Sequence, residues 1–330
     1  MPSSSSQTRP AFALRASAGV AGAAPAIARW AKARFNVGRA AVIGIPYAFL
    51  VLFFSLPFLV VLKYSVSETE GSGLRSLTEV LDGTLTLRIK FANYVFLLTD
   101  DLYLDTYLSS IRFAALCTLI CLVIGYPFAY FMSRARPTVR PVLLMMVSLP
   151  FWTSYLLRIY AWKGLLDDNG VLNNFAMWLG LIHEPWKMMY TAGSMTVGMV
   201  YTYLPFMILP LYGTLVKADP RLLEAAGDLG ASPWRTFWLI TVPLSKAGII
   251  AGSMLVFIPC VGEYVIPELL GGPQSLMIGR VLWDEYFKNV DWPMASAVAV
   301  SMVALILIPL VLFNRYQGQV REGPSGRKGA

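Results

Sequence analysis

Charged and aromatic side chains stand close together at two places in otherwise apolar sequence. One group surrounds Arg158, and the other follows the apolar run that contains Pro259. A charged side chain near the middle of a bilayer costs about 2.5–3.5 kcal/mol, so such residues are candidates for a functional role. Carboxylates and the negative faces of aromatic rings both attract organic cations. The candidates for this chemistry are Trp152, Tyr155, Arg158, Glu263, Tyr264, Glu268, Asp284 and Glu285.

Glu263 is the leading candidate among these residues. If its helix enters the membrane core near Gly248, a rise of 1.5 Å per residue places Glu263 about 22 Å further on, in the outer third of the bilayer. A second interpretation ends the helix near Pro259 and leaves Glu263 at the interface or paired with Arg158. Because tryptophan and tyrosine also anchor proteins at membrane interfaces, only their combination with the acids favours a path for cations.

Other kinds of chemistry find little support in the sequence. His183 is the only histidine, and no serine or cysteine has an evident base, so a membrane enzyme is a poor fit. The cysteines at 117, 121 and 260 lie in apolar runs without metal-ligand spacing, which predicts small core residues. We therefore predict no catalytic residue, no metal site and no cofactor bound by this chain.

Residues 219–243 form a charged segment between two apolar stretches, and we call it the coupling segment. Asp219 can cap a helix that starts with Pro220, and Gly230 can close that helix in a left-handed turn. Ser232 and Pro233 can start a second helix. Glu224 and Asp228 are four residues apart, a like-charge pair that costs about 0.2–0.5 kcal/mol unless a basic partner offsets it or water solvates it.

The composition places the chain in a membrane. Hydrophobic residues make up 56% of the 330 residues and charged residues 14%, with a mean hydropathy of +0.59. These values lie outside the range of soluble domains. The formal charge of +8 could indicate a nucleic-acid partner. We predict none, because the basic residues collect in segments that would face the cytoplasm.

Six stretches are long and apolar enough to cross a bilayer as helices. We predict spans at 41–62, 108–132, 141–162, 194–216, 246–268 and 294–313. The connection 63–107 holds four Lys or Arg against seven Asp or Glu, and the next one, around Arg136, holds no acid. This alternation continues along the chain, so the sequence predicts an all-α membrane protein with six transmembrane helices and with both termini and the coupling segment in the cytoplasm.

The first forty residues carry six arginines or lysines and no acid. They faintly resemble a targeting segment, but Arg9 and Arg15 interrupt the apolar core that a cleavable signal needs. We therefore expect residues 1–40 to be a flexible basic tail near anionic lipid.

The coupling segment also carries a family resemblance. Glu224, Ala225 and Ala226, followed by Gly230 and by Ile240-x-Val242-Pro243, resemble the Glu-Ala-Ala loop of permease subunits in bacterial ABC importers. Val242 is a departure, since leucine is commoner there, but the exchange is apolar for apolar. The resemblance implies that Glu224, Ala225, Ala226, Asp228, Gly230, Ile240 and Pro243 couple the permease to an ATPase.

Two further stretches resemble polyamine permeases in particular. They are residues 149–158, Leu-Pro-Phe-Trp-Thr-Ser-Tyr-Leu-Leu-Arg, and residues 262–272, Gly-Glu-Tyr-Val-Ile-Pro-Glu-Leu-Leu-Gly-Gly. The similarity covers about residues 41 to 316 and is greatest to the larger, putrescine-type permease subunit of putrescine and spermidine importers. It implies a type I importer permease domain at 41–316, with a core at about 105–313 and a cytoplasmic tail at 317–330.

The resemblance also implies partners. These are a pair of ATP-binding subunits that use ATP and Mg²⁺, a second related permease, a periplasmic polyamine-binding protein and the bacterial inner membrane. The chain has no Gly-x-x-x-x-Gly-Lys-Ser/Thr loop of its own. Two alternatives stay open, namely a permease for another small organic solute and an ion-driven carrier. The carrier would need paired half-repeats and several ionisable residues at the midplane.

Overall fold

A computed structural model describes the backbone of residues 37–70, 73–74, 78–81, 84–87 and 91–321, and the side chains of 41–68 and 91–311. Helices form most of this part of the chain, as the all-α prediction requires. The predicted N-terminal tail falls outside the described residues, apart from the helical backbone of 37–40. Residues 322–330 of the predicted C-terminal tail also fall outside them.

The helices follow one another along the chain, and a long connection separates the second from the third. They are α1 Val37–Leu50, α2 Leu56–Ser65, α3 Ala92–Thr99, α4 Asp101–Arg134, α5 Arg140–Ser148, α6 Tyr155–Leu166, α7 Val171–Trp178, α8 Ala192–Leu215, α9 Arg221–Asp228, α10 Pro233–Thr236, α11 Val242–Leu244, α12 Lys246–Val261, α13 Val265–Leu270, α14 Ile278–Phe287 and α15 Trp292–Arg321. Wider π-helical turns lie at Val51–Ser55 and Phe237–Thr241, and 3-10 turns at Leu149–Trp152 and Pro273–Ser275.

Two small β-hairpins lie in the connection that follows the first span. Strand β1, Thr69–Glu70, pairs antiparallel with β2, Gly73–Leu74. Strand β3, Thr78–Leu81, pairs antiparallel with β4, Thr84–Leu87. They add a short irregular element to an otherwise helical protein.

The structure contains four long apolar helices and two bent pairs that could cross a membrane. The straight spans are Ala41–Ser65, Asp101–Arg134, Ala192–Leu215 and Trp292–Val311, and the first of them begins in a separate compact unit that ends at Val60. The bent pairs are Arg140–Trp152 with Tyr155–Trp178, at 90°, and Pro233–Leu244 with Lys246–Val261, at 66°. If each bent pair is one span, the described residues hold the six spans that the sequence predicts.

Two predicted spans are broken where the prediction had them continuous. The span at 141–162 changes to a 3-10 turn at Leu149 and becomes extended at Thr153, because Pro150 cannot donate a backbone hydrogen bond. The span at 246–268 ends at Val261, and the separate helix α13 starts at Val265. The last helix continues to Arg321, past the predicted domain end at 316. The domain boundaries themselves stay predictions.

The core forms where α4, α8 and α12 pack against one another. Cys117, Cys121 and Cys260 are fully buried in it as free thiols, which confirms their interpretation as small core residues. A Cβ atom on Gly252 would lie 2.8 Å from Sδ and 3.1 Å from the carbonyl oxygen of Met207. Small residues therefore let the backbones of α8 and α12 approach closely, as is typical of helix contacts in membranes.

Candidate functional site

A cavity of about 390 Å³ opens between the start of α6, the middle of α8 and the junction of α12 with α13. We call it the acidic cavity, because it contains the carboxylate of Glu263. Its lining joins segments that are far apart in sequence. The lining residues are Phe151, Tyr155, Arg158, Thr202, Tyr203, Phe206, Pro259, Gly262, Glu263, Tyr264 and Val265.

The Glu263 carboxylate is buried and held by three hydrogen bonds. The side chain lies in the gap between α12 and α13, and the residue is 9% exposed. The hydroxyl of Tyr203 donates to Oε2 at 2.5 Å, and the backbone N–H groups of Tyr264 and Val265 donate to Oε1 at 3.1 and 3.0 Å. These bonds offset the cost of burial. The helix thus ends near Pro259, as in the second interpretation, but Glu263 is buried.

Four polar atoms around the cavity find no hydrogen-bond partner among the described residues. They are the hydroxyl oxygens of Tyr155 and Thr202 and the Nε and Nη1 atoms of Arg158. All three side chains line the acidic cavity. Buried polar groups in native proteins are almost always paired, so this concentration points to a space that receives polar molecules.

Aromatic rings form much of the remaining lining. Phe151 meets Phe206 edge to face, with ring centroids 5.0 Å apart. The guanidinium carbon of Arg158 lies 5.8 Å from the centroid of the Tyr155 ring. Tyr264 stacks on Trp283 at 4.6 Å. The cavity therefore combines one carboxylate, one guanidinium and several ring faces.

The structure does not bring all the predicted cation-binding residues together. Trp152 is 88% exposed and lies outside the cavity lining. Glu268 forms an ion pair with Arg280 at 2.6 Å. Of the four acids that the sequence analysis singled out, only Glu263 lines the acidic cavity.

The two acids of α14 are held by neighbouring polar groups. Asp284 pairs with Lys288 at 2.6 Å, and its hydrogen bond raises the pKa of that lysine. Glu285 accepts hydrogen bonds from the Tyr103 hydroxyl at 2.8 Å and from the Asn289 side chain at 2.9 Å. Their predicted role in a cation path stays a prediction.

Sequence reasoning missed Thr202 and Tyr203. Both lie on α8, in a stretch of apolar and aromatic residues whose sequence gives no sign of a partner. The hydrogen bond between Tyr203 and Glu263 joins residues 60 positions apart. A polar side chain within a predicted span was the only signal that could have identified them.

The coupling segment folds as two short helices joined by a glycine turn. Asp219 Oδ1 accepts from the Arg221 N–H at 3.0 Å at the start of α9, and Ser232 Oγ accepts from Arg235 N–H at 3.4 Å at the start of α10. Gly230 has a φ of +80°, which glycine adopts without a steric penalty. These observations confirm the predicted caps and turn.

The predicted coupling residues differ in exposure. Glu224, Ala225, Asp228, Gly230 and Pro243 are exposed, Ile240 is half-buried, and Ala226 is buried. Leu229 and Trp234, which the sequence analysis did not single out, are 89% and 70% exposed. The segment thus exposes apolar side chains and charges of both signs, including Arg221 and Arg235, and its role in coupling stays a prediction.

Contacts between side chains connect the coupling segment to α4. Phe237 meets the ring of Tyr126 edge to face at 5.5 Å and that of Tyr130 at 6.3 Å. The hydroxyl groups of Tyr126 and Ser245 lie 2.9 Å apart, and both residues are buried. Phe237 directly follows α10, so these ring contacts join the coupling segment to α4.

Comparisons with known proteins give the family. The model of the family described as "Binding-protein-dependent transport system inner membrane component" matches residues 121–321. The chain is 40% identical over 266 residues to the spermidine/putrescine transport system permease protein PotB of Escherichia coli K12, an alignment that covers 81% of this chain and 93% of that protein. It is 38% identical over 273 residues to PotB of Haemophilus influenzae, covering 83% and 92%.

A solved structure shows the same fold. A crystal structure of a bacterial ABC transporter involved in the import of the acidic polysaccharide alginate matches with a TM-score of 0.67, covering 88% of this chain and 98% of that chain at 15% identity. At this identity the match supports the arrangement of helices, which agrees with the family match. The chain therefore belongs to the inner membrane components of binding-protein-dependent transport systems and is a permease subunit of an ABC importer.

Proposed function

We propose that this permease moves polyamines from the periplasm to the cytoplasm, with putrescine preferred to spermidine. The observation that carries the proposal is the buried Glu263 carboxylate in a cavity rich in aromatic rings. The relatives that are spermidine/putrescine permeases support it, since the alignments cover more than nine-tenths of their length. The preference for putrescine follows the resemblance of about residues 41–316 to the putrescine-type permease subunit.

A carboxylate and ring faces suit a cationic amine for physical reasons. One ammonium group can donate to Glu263, and cation–π contacts with neighbouring rings contribute about 0.5–2 kcal/mol each where water is excluded. Tyr155, Tyr203 and Tyr264 are the cavity residues that combine a ring face with a polar group. A diamine extends beyond the ammonium group that binds Glu263. Its second ammonium would therefore lie against ring faces or against the sister permease.

We further propose that the coupling segment lies in the cytoplasm and docks on a separate ATPase pair. The exposed Glu224 and Leu229 and the charge asymmetry of the connecting loops support this placement. ATP and Mg²⁺ would bind the ATPase, and a periplasmic binding protein would deliver the polyamine to a heterodimer of two permeases. Coupling requires that nucleotide favour one packing of the helices over another.

Arg158 favours a second candidate cargo. Its guanidinium lies in the cavity without a hydrogen-bond partner among the described residues, and a carboxylate is a natural ligand for it. A small organic solute with both an amine and a carboxylate would match Glu263 and Arg158 together. Polyamines stay the preferred proposal because the relatives are polyamine permeases.

Uptake by the reconstituted complex tests both the energy source of transport and the identity of the cargo. Proteoliposomes that hold the permease pair and the ATPase would receive the binding protein and labelled putrescine, with spermidine or an amino acid as competitor. We expect uptake that requires ATP, stops with vanadate and is inhibited by spermidine more than by the amino acid. Uptake that continues without ATP while an ion gradient lasts would indicate a gradient-driven carrier instead.

A further inference from the structure

The second half of the coupling segment, residues 233–244, has an exposed apolar face. Trp234, Trp238 and Leu239 are each more than half exposed. In the same turns Phe237 packs half-buried against the core, and Thr241 is buried. Exposed apolar patches of this kind mark a contact with a protein or with a membrane.

The contacts of Phe237 fix the depth of this face along the helix bundle. Its ring meets those of Tyr126 and Tyr130 on α4, and both tyrosines lie in the span predicted at 108–132. Because α4 ends at Arg134, a rise of 1.5 Å per residue places the two rings about 12 and 6 Å before its end. The second half of the coupling segment therefore lies beside the last turns of a membrane span, and not beyond the end of that span.

The direction of these residues also fits a membrane surface. The helical stretch Pro233–Leu244 meets the span Lys246–Val261 at 66°. If the span crosses the bilayer upright, the stretch before it runs closer to the membrane plane than to the membrane normal. Helices that lie in the interface carry tryptophan and other apolar residues on the side that faces the lipid, and tryptophan is enriched at this depth.

The two halves of the coupling segment differ in charge. Residues 219–228 hold three acids and one arginine. In residues 231–261 the charged side chains are Arg235 and Lys246, and both are basic. Phospholipid headgroups carry phosphate, which attracts basic side chains and repels acids. The charge therefore favours lipid contact for the second half and not for the first.

We propose that residues 233–244 lie in the membrane interface and bind phospholipid headgroups. Trp234 and Trp238 lie among the headgroups, and the exposed Arg235 donates hydrogen bonds to a headgroup phosphate. The acidic first half stays in water, where a partner protein can reach it. Gly230, at the turn between the two halves, marks the boundary between the lipid-bound part and the water-exposed part.

Electron paramagnetic resonance of a nitroxide label tests this placement in the complete complex, held in nanodiscs of phosphatidylethanolamine and phosphatidylglycerol. Leu239→Cys and Leu229→Cys are the matched variants, because both leucines are exposed, at 73% and 89%, and they lie in different halves. The native cysteines of this chain are buried, and the unsubstituted complex gives the background signal. The readout is the rate at which the label collides with oxygen, which concentrates in lipid, and with a water-soluble nickel chelate.

We expect the ratio of oxygen to nickel collisions at position 239 to exceed the ratio at position 229 severalfold. Low rates for both reagents at 239 would show that protein, such as the ATPase or the sister permease, covers this face. Frequent nickel collisions at 239 would show that the face lies in water. Either result would overturn the proposal, and an oxygen excess at both positions would contradict the distinction between the halves. The result at 239 depends neither on the cargo nor on docking of an ATPase.

Discussion

The hydroxyl of Tyr203 donates a 2.5 Å hydrogen bond to Oε2 of Glu263, across 60 positions of sequence. This bond joins α8 to the junction between α12 and α13. It fixes the carboxylate on one side, while the N–H groups of Tyr264 and Val265 fix it on the other. The acidic cavity therefore has a carboxylate of defined position, which a mobile surface acid would not provide.

Removal of the Tyr203 hydroxyl should impair transport. A hydrogen bond to a charged group is worth about 1.5–3 kcal/mol, and each 1.4 kcal/mol is about a tenfold change. We expect Tyr203→Phe to lower the initial rate of uptake by about tenfold while the protein still inserts. Tyr201→Phe on the same helix is the matched control, because its ring contact with Trp162 is kept. Equal rates for the two variants would argue against this role of the bond.

A side chain at Gly230 should uncouple transport from ATP hydrolysis. The φ of +80° costs a non-glycine residue about 1–2 kcal/mol, so Gly230→Val distorts the turn between the two helices of the coupling segment. We expect less uptake per ATP hydrolysed. Gly180 has a φ of +71° in another loop, so Gly180→Val imposes the same strain elsewhere and should keep the wild-type ratio. A normal ratio for Gly230→Val would contradict the expectation.

Loss of the carboxylate at Glu224 should also impair the coupling of transport to ATP hydrolysis. Glu224 is exposed on α9, so its substitution does not disturb the core. We expect Glu224→Ala to leave the permease inserted but to weaken its binding to the ATPase and to abolish ATP-driven uptake. The comparison variant is Glu184→Ala, which removes an exposed acid from a loop predicted to lie outside. If both variants copurify the ATPase equally and transport normally, the segment does not dock through Glu224.

A larger residue at Gly252 should destabilise the core. A Cβ atom there would lie 2.8 Å from the sulfur and 3.1 Å from the carbonyl oxygen of Met207. Overpacking typically costs about 1–3 kcal/mol, so Gly252→Leu should lower the denaturation midpoint. Gly213 has open space around its Cα, so Gly213→Leu should be tolerated. The test is the fraction of each variant that stays monodisperse after heating.

Much of the coupling segment could be predicted from the sequence because its signals are local. Asp219, Gly230 and Ser232 act on backbone groups within a few residues of themselves. The number of apolar spans was also readable from hydropathy, since each span needs about 20 apolar residues. The break near Pro150 was not predicted, and the helix end near Pro259 was one of two interpretations, because a proline within a span can either kink a helix or end it.

The acidic cavity could be predicted only in part. Its carboxylate was identified from its position after an apolar run, but Tyr203 and Thr202 come from a distant helix whose sequence does not reveal its neighbours. The expected cluster of acids failed to assemble for a related reason. Glu268 and Asp284 pair with Arg280 and Lys288, and neither acid lines the cavity. The Glu268–Arg280 pair joins two helices, which composition does not show, whereas Asp284 and Lys288 are four positions apart in sequence.

Uptake of labelled putrescine by the reconstituted complex with Glu263→Gln tests the central claim most directly. This variant keeps the shape of the side chain and removes its charge, and Asp105→Asn, on an exposed acid of α4, is the control. We expect Glu263→Gln to lose about tenfold or more of its ATP-dependent uptake, with the control near the wild-type rate. Wild-type uptake by Glu263→Gln would show that the cargo does not pass the acidic cavity as a cation bound to this carboxylate.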